Sequence, residues 1–274
     1  MPILHAVVLG LIQGATEFLP VSSSGHLILT RWLLGWELPT PQLAKAYDVA
    51  LHVGTLTGAI AYLRRDLAGL ARGAVESLRR RELRTSHQRL PWMIAVACVP
   101  AAVTGAAFES AITDHLGEPW LVGVMLIVFG LALVAADRVA PRRGADAFSW
   151  RDALLVGGAQ ALSLQPGVSR AGATISAARA LGFERDAAAR LSFIMGIPLI
   201  AGAALFEGVK VVNEGVDADF LVAATVGAAT AAVTAWIAVW AVLSVVRRRS
   251  FLPFVAYRVL AGVAVLLLVG SPWR

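Results

Sequence analysis

The sequence predicts an all-α protein that crosses a membrane several times. Of its 274 residues, 58% are hydrophobic and only 15% are charged, whereas about 25% of the residues of a soluble domain are charged. The apolar residues form long runs almost free of charge, at Leu121–Ala136, Leu221–Val246 and Leu252–Val269. A helix needs about 20 such residues to cross the hydrocarbon core. Several runs of this kind, separated by arginine clusters, exclude a soluble protein with one buried helix.

The polar segments between these runs alternate in charge, and this alternation predicts their orientation. Arg64–Arg89, Arg138–Arg151 and Arg247–Arg249 read as basic loops, whereas Glu109–Glu118 and Glu207–Asp219 are mostly acidic. Because basic loops stay on the cytoplasmic side, we expect the acidic loops on the outer side. The net charge of +6 and the pI of about 10.4 follow from the basic loops and do not indicate nucleic-acid binding.

The same alternation predicts six membrane-spanning helices, at residues 43–63, 91–109, 119–138, 187–207, 219–246 and 252–271. Two further apolar segments, 2–36 and 151–182, are interrupted by proline, glycine and hydroxyl residues, and a full crossing by either would break the alternation. We interpret both as re-entrant helical hairpins, since broken backbone at membrane depth is tolerated where protein or water satisfies it. An ordinary kinked span is the alternative for each.

The two interrupted segments resemble each other at a constant offset of 147 residues. The matched positions include Gln13 with Gln160, Ser22 with Ser169, Gly25 with Gly172, and Glu37 with Glu184. We infer a single membrane domain, 1–274, built from two repeats, 1–138 and 139–274, each with one hairpin and three spans. Because three is odd, the second repeat is inverted, and the site of such proteins lies where the repeats meet.

The first hairpin carries reactive side chains next to a helix break. Gln13 and Glu17 share one helical face, and Pro20 then discourages helix. Ser22–Ser24 follow the break and can cap a new helix, whose free N–H groups attract anions. His26 lies in the first turn of that helix. The segment therefore combines a carboxylate, hydroxyls, an imidazole and backbone donors.

The second hairpin carries a cation at the matching place. Pro166-Gly167 breaks the helix, Ser169 can cap the next one, and Arg170 stands where the first hairpin has Ser23. A guanidinium suits bidentate contacts with phosphate, and an ionisable residue at membrane depth indicates a functional site. We expect the two tips to meet around one anion.

Structural roles are the alternative for each of these residues alone. Ser22–Ser24 can serve only as caps, Glu17 and Arg170 can form a buried ion pair, and His26 can be a hydrogen-bonded core residue. None of these structural roles requires a broken helix that occurs twice in the chain. The presence of two such helices therefore favours a functional site.

Polar residues outside the hairpins receive structural interpretations. Asp48 and His52, at the edge of the first span, either support the site or mark the membrane boundary. Arg258 is expected to extend its charge to the cytoplasmic surface by snorkelling. Cys98, the single cysteine, is expected to pack as a small apolar residue. The first segment lacks the basic region and cleavage site of a signal peptide.

At these residues the sequence resembles the undecaprenyl-diphosphate phosphatase family, bacterial membrane enzymes associated with bacitracin resistance. The first family motif corresponds to Gln13–His26 and the second, P-G-x-S-R-[S/A]-G-A-T, to Pro166–Thr174, both without a gap. The similarity extends over nearly the whole chain, including Tyr47–His52 and Pro253–Arg258. Ala171 stands where many members have serine, which removes one hydrogen bond.

The resemblance implies hydrolysis of the C55 isoprenyl diphosphate to the monophosphate carrier and phosphate, which recycles the carrier for peptidoglycan synthesis. It also implies a location in the bacterial plasma membrane with the active site open to the outer side. A polyprenyl diphosphate and the bilayer are then the partners, nucleic acid is not one, and a homodimer is left open. A transporter or flippase of a phosphorylated lipid is the alternative, because inverted repeats with broken helices are common there.

Within this reaction we expect phosphoryl transfer to Ser23, with Arg170 holding the terminal phosphate. Glu17 would be the base for Ser23 or a metal ligand, and His26 the acid–base partner. The competing assignment makes His26 the nucleophile and Ser23 a phosphate ligand. The other residues expected to bind substrate are Gln13, Ser22, Ser24, Gly25, Gly167, Ser169, Gly172 and Thr174.

A divalent cation, Mg²⁺ or Ca²⁺, is the expected cofactor, because the substrate is a diphosphate and hard cations prefer oxygen ligands. Glu17 is the one acidic residue in the two motifs. The family motif has Glu or Gln at the position of Gln13, and the members with Glu have a second carboxylate there. The sequence therefore offers one carboxylate ligand in place of a pair.

Overall fold

The computed structural model describes residues 2–36, 40–108, 116–212 and 218–271. Within these ranges the chain forms ten α-helices and no β-strand, so the all-α prediction is confirmed there. The helices are α1 (Ile3–Glu17), α2 (Ser23–Leu34), α3 (Pro41–Arg80), α4 (Ser86–Ala107), α5 (Pro119–Asp137), α6 (Trp150–Leu162), α7 (Arg170–Ala180), α8 (Arg185–Val212), α9 (Ala218–Val246) and α10 (Leu252–Val269).

Five helices of the described ranges, α4, α5, α8, α9 and α10, are long and apolar enough to cross a membrane. They overlap five of the six predicted spans, and residue 109 of the predicted span 91–109 lies outside the described residues. The other predicted span, 43–63, lies in α3, which has 40 residues but carries polar side chains such as Asp48 and His52 in its apolar half. The chain is therefore a multi-pass helical membrane protein.

The helices of the two interrupted segments are much shorter. They have 15 and 12 residues in α1 and α2, and 13 and 11 in α6 and α7. At 1.5 Å per residue the longest extends about 22 Å, against a hydrocarbon core of about 30 Å. The two helices of each segment contact each other. Each segment is thus a pair of short helices separated by a break, at residues 18–22 and 163–169.

Glycines allow each short pair to pack closely against a helix from the other half of the chain. A Cβ added at Gly10 of α1 would lie 2.5 Å from the carbonyl oxygen of Gly227 in α9. One added at Gly157 of α6 would lie 2.6 Å from the carbonyl oxygen of Ala97 in α4. Gly10 and Gly157 are separated by the same 147 residues as the matched motifs. Equivalent glycines therefore make equivalent close contacts.

Ion pairs attach each pair of short helices to a neighbouring helix, at the end opposite the break. Arg31 of α2 pairs with Asp48 of α3 through both terminal nitrogens. Asp137, at the end of α5, accepts hydrogen bonds from Arg179 Nε at 3.1 Å and Arg185 Nε at 2.7 Å. These contacts attach α2 to α3, and both α7 and α8 to α5.

The basic segment 64–89 is mostly helix, and its prediction as a loop is wrong. α3 continues to Arg80, and Arg81 ends it in the left-handed conformation with φ 52°. α4 then begins at Ser86, after a cap from Thr85. Arginine, leucine and alanine, which dominate this segment, are strong helix formers. The charge of a segment therefore does not determine its conformation.

Candidate active site

Glu17 lies at the centre of the polar side chains where α1 and α2 are separated. Its Oε2 accepts hydrogen bonds from Ser23 Oγ at 2.6 Å and from Gln13 Nε2 at 3.0 Å. Glu17 ends α1 and Ser23 begins α2, so the break at Pro20 brings them together. The Glu17 side chain is 6% exposed. A buried carboxylate this close to a serine hydroxyl is placed to accept its proton.

The tips of the two short pairs touch through a serine hydroxyl. Ser22 Oγ accepts from the N–H of Gly25, as the cap of α2, and from the N–H of Gly167 at 3.0 Å. Ser169 Oγ caps α7 by accepting from the N–H of Gly172 at 3.0 Å. Both serines have positive φ, 78° and 72°, a strained conformation for residues other than glycine. The N-termini of α2 and α7 therefore lie at the junction of the tips.

Arg170 extends from the second tip to the first. Its terminal nitrogens donate to Glu17 Oε1 at 3.3 Å and to the carbonyl oxygen of Ser192 at 3.0 Å. Its guanidinium lies 5.3 Å from the ring centre of Phe18, and a Cβ at Gly196 would lie 2.1 Å from it. Its Nε is buried without a hydrogen-bond partner among the described residues. Each terminal nitrogen has a second hydrogen beyond these two bonds, so the cation fixed beside Glu17 keeps donors for an anion.

A cavity of about 560 Å³ opens at this junction. Its polar end is formed by Glu17, Ser22, Ser23, Ser24, His52, Ser169 and Arg170. Its apolar wall comes from α4 and α8, and includes Ala101, Ala102, Ala106, Leu199, Ile200 and Ala203. A cavity with one polar end and one apolar wall suits an amphipathic molecule whose head group is an anion.

Comparisons with known proteins identify the family. The family model described as "Bacitracin resistance protein BacA" matches residues 6–264. The chain belongs to the BacA family. A relative from Geobacter sulfurreducens is 46% identical over 97% of this chain and 98% of its own length. A relative from Pelobacter propionicus is 43% identical over 98% of each chain. A relative from Thermomicrobium roseum is 44% identical over 98% of this chain and 99% of its own length.

All three relatives are named undecaprenyl-diphosphatase. The family resemblance of the sequence is therefore confirmed.

In this BacA-family chain, His26 faces away from the cavity. Its Nδ1 lies 2.6 Å from the carbonyl oxygen of Ser22, and its Nε2 lies 2.7 Å from the hydroxyl of Tyr257, whose ring stacks on the imidazole. Both ring nitrogens are thus occupied, and His26 is not among the residues that line the cavity in the described ranges. The structure does not bring His26 to Glu17. Its acid–base role and its competing role as nucleophile stay predictions.

His52 of α3 lines the cavity instead. Its Nδ1 lies 2.7 Å from the carbonyl oxygen of Asp48, and its Nε2 lies 3.7 Å from Glu17 Oε2. The sequence left two alternatives for both His52 and Asp48, supporting the site or marking the membrane boundary. The structure separates the two residues, because His52 lines the cavity whereas the Asp48 carboxylate pairs with Arg31. The signal in the sequence was a histidine one turn from an aspartate in an otherwise apolar span.

Arg258 corrects the prediction of a snorkelling side chain. It is fully buried, and it donates to the carbonyl oxygen of Pro20 in the first tip at 3.0 Å. It also donates to those of Gly167 and Val168 in the second tip, at 2.8 and 3.0 Å. Broken helices leave carbonyl groups without helical partners, and the several donors of a guanidinium satisfy them. Arg258 therefore joins the two tips.

The remaining predicted binding residues differ in position. Ser24 is exposed and lines the cavity. Thr174 is fully buried, and its hydroxyl donates to the carbonyl oxygen of Arg170 at 2.8 Å. It therefore contacts the backbone of Arg170. Gln13 is also fully buried and contacts Glu17 through its amide nitrogen.

Glu17 does not form a metal site with neighbouring side chains. In the described part of the chain, no group of three or more His, Cys, Asp or Glu side chains could hold a metal ion. The Glu17 oxygens accept from Ser23, Gln13 and Arg170. These residues therefore do not fit an ion held by the protein alone.

Proposed function

We propose that this chain hydrolyses undecaprenyl diphosphate to undecaprenyl phosphate and inorganic phosphate. The names of its relatives and the family description support this activity, which recycles the lipid carrier for peptidoglycan synthesis and confers bacitracin resistance. The observation that carries the proposal is the 2.6 Å contact between Ser23 Oγ and Glu17 Oε2, beside Arg170. Hydrolysis is favoured over transport, because a carrier site need not pair a carboxylate with a serine hydroxyl.

Ser23 is the nucleophile of this mechanism. As Ser23 Oγ attacks the terminal phosphorus, Glu17 accepts its proton and undecaprenyl phosphate leaves. Arg170 and the backbone N–H groups at the starts of α2 and α7 stabilise the charge of the transferring group, which is the main contribution of a protein to phosphoryl transfer. The 3.3 Å contact of Arg170 with Glu17 leaves part of its hydrogen-bonding capacity for the phosphate. Water then hydrolyses the phosphoserine.

The apolar wall of the cavity receives the first isoprene units of the lipid. α4 contributes Ala101 and Ala102, and α8 contributes Leu199 and Ala203. Small side chains leave room beside the polar end, and apolar lining favours the burial of a hydrocarbon chain. The diphosphate and the chain it is attached to are thereby oriented together.

The membrane arrangement is part of the proposal. Two inverted repeats, 1–138 and 139–274, each contribute one re-entrant hairpin and three spans. The short lengths of the hairpin helices and the equivalent contacts of Gly10 and Gly157 support it. The cavity is lined by Glu207, which begins the acidic segment 207–219. With the basic segments in the cytoplasm, the cavity opens to the outer side of the bacterial plasma membrane.

We expect Mg²⁺ or Ca²⁺ to enter with the diphosphate, whose oxygens are the hard ligands these ions prefer. The oxygens of Glu17 already accept three hydrogen bonds, which favours an ion carried by the substrate over an ion resident at this carboxylate. Both tips come from one chain, so the site needs no second copy if a homodimer forms.

Phosphate release from undecaprenyl diphosphate in detergent tests the function, because detergent removes the compartments that a transporter needs. Ser23→Ala is expected to lower kcat about a thousandfold or more, as losses of a nucleophile do. Ser176→Ala, at a serine of α7 whose hydroxyl donates to the carbonyl oxygen of Gly172 and which is absent from the cavity lining in the described ranges, is the control and should stay near the wild-type rate.

A phosphoenzyme trapped by rapid quench should carry its label on Ser23. A label on His26, or full activity of Ser23→Ala, would contradict the nucleophile. A purified wild-type protein that releases no phosphate would contradict the function itself.

A further inference from the structure

The second half of the reaction needs a proton acceptor that Glu17 cannot supply. After transfer, Glu17 holds the proton of Ser23 and returns it to Oγ when the phosphoserine is cleaved. The attacking water also loses a proton in that step. Because Glu17 donates to Oγ in this step, a second basic group that faces the cavity is suited to accept the proton of the water.

His52 has the required geometry. The carbonyl oxygen of Asp48, 2.7 Å from Nδ1, can only accept a hydrogen bond, so Nδ1 carries the hydrogen. Nε2 of the neutral ring therefore keeps its lone pair. Nε2 lies 3.7 Å from Glu17 Oε2, which is longer than a hydrogen bond. The side chain is 34% exposed, and it is one of the residues that line the cavity. Nε2 therefore lies next to the Glu17 carboxylate, at the wall of a cavity that water can enter.

His26 has the same tautomer but a different neighbour. The carbonyl oxygen of Ser22 fixes its hydrogen on Nδ1, as Asp48 does for His52. Its Nε2 then accepts from the hydroxyl of Tyr257 at 2.7 Å, so its lone pair is occupied. Of these two imidazoles, His52 is the one whose Nε2 faces the reacting groups.

Other groups at the polar end do not offer a base at this stage. Arg170 has no acceptor atom, and Glu17 is already protonated. Ser169 Oγ is engaged as the cap of α7. Two further titratable residues line the cavity: Cys98 of α4, whose thiol lies 3.5 Å from the carbonyl oxygen of Met195, and Glu207 of α8.

We propose that His52 is the catalytic base of phosphoserine hydrolysis, an inference that rests on the proposed transfer to Ser23. The water oxygen bonds to phosphorus while the bond between phosphorus and Ser23 Oγ breaks. The proton of the water passes to His52 Nε2, and the proton on Glu17 returns to Ser23 Oγ. Inorganic phosphate leaves, and His52 releases its proton to solvent.

The test separates the two half-reactions with His52→Gln and His52→Ala. Each is expected to lower kcat of phosphate release about a hundredfold or more, the usual contribution of a general base. Phosphate should accumulate on Ser23, because the transfer step keeps Glu17 and Arg170. Added imidazole should restore part of the rate of His52→Ala but not of His52→Gln, because only the smaller side chain leaves room for it. His5→Gln is the matched control, since His5 stacks on Trp36 and is absent from the residues lining the cavity in the described ranges.

The outcomes distinguish this inference from the function on which it rests. A wild-type rate in His52→Gln, or a slow variant without phosphoserine and without imidazole rescue, would overturn the role of His52 alone. A wild-type enzyme that releases phosphate without labelling Ser23 would overturn the transfer step and this inference with it. Elution from a sizing column and the Tm in detergent show whether each variant is folded, and imidazole rescue of His52→Ala excludes a purely structural role.

Discussion

The two hairpins have the same backbone plan and carry different side chains at their tips. Ser22 and Ser169 cap the second helix of each pair, with φ of 78° and 72°. The residue that follows is Ser23 in the first and Arg170 in the second. Because each helix start offers backbone N–H groups, each tip is suited to an anion, and the side chain beside it is a hydroxyl in the first tip and a guanidinium in the second.

A third element joins the two tips. Arg258 of α10 donates to Pro20 in the first tip and to Gly167 in the second. Ser22 adds a direct contact between the tips. Ser23 of the first tip and Arg170 of the second therefore lie together only while these contacts keep the two tips in place.

Arg258→Lys is expected to have the largest effect on this arrangement. An ammonium lacks the planar fork of a guanidinium and cannot reach Pro20, Gly167 and Val168 together. Phosphate release should fall about a hundredfold, since a displacement of about 1 Å at an active site costs that much. Steady-state kinetics measure the effect, and Arg249→Lys, at an exposed position, is the control. A wild-type kcat in Arg258→Lys would mean that the tips stay in register without the guanidinium.

Ser22→Ala and Ser169→Ala should differ, although the two serines hold matched positions. Each loses a cap, worth about 1 kcal/mol. Ser22→Ala also leaves the buried N–H of Gly167 without its partner, which costs about 1–3 kcal/mol more. Thermal unfolding in one detergent should therefore give the lower Tm for Ser22→Ala. Equal Tm values for the two variants would show that the contact between Ser22 and Gly167 contributes little.

The breaks and the tips could be predicted from the sequence because their signals are local. Proline and glycine interrupt each apolar segment, serine follows, and Arg170 lies at the position matched to Ser23. The meeting of the tips was predicted from the proposed inverted order of the repeats, and the contact of Ser22 with Gly167 joins them in the structure. To predict these features, one needs only the spacing of residues along one short segment.

The contributions of Arg258 and His52 could not be predicted in this way, because they depend on which helices pack together. Arg258 lies near one end of its span, where snorkelling is the usual outcome, but α10 packs on α5 and directs it to the tips. His52 lies on α3, and its distance from Glu17 is set by the packing of α3 on α1. The helical extension of α3 to Arg80 was missed for another reason, since charge does not determine conformation.

Gln13→Glu should have the smallest effect on rate and the sharpest effect on cation dependence. Gln13 Nε2 donates to Glu17 Oε2 at 3.0 Å, and glutamate would replace this donor with a second carboxylate. Two carboxylates this close are not both ionised unless a cation or a proton lies between them. At saturating Mg²⁺ we expect a change in kcat of only a few-fold, because Ser23 and Arg170 remain in place.

The half-saturating Mg²⁺ concentration should nevertheless fall in Gln13→Glu. Gln165→Glu adds the same charge in the second hairpin, where the amide contacts the carbonyl oxygen of Leu116, and it should behave as the wild type in a Mg²⁺ titration after EDTA treatment. An unchanged half-saturating concentration in Gln13→Glu would place the cation away from the first tip. The difference between the hairpins would then rest on Ser23, Glu17 and Arg170 alone.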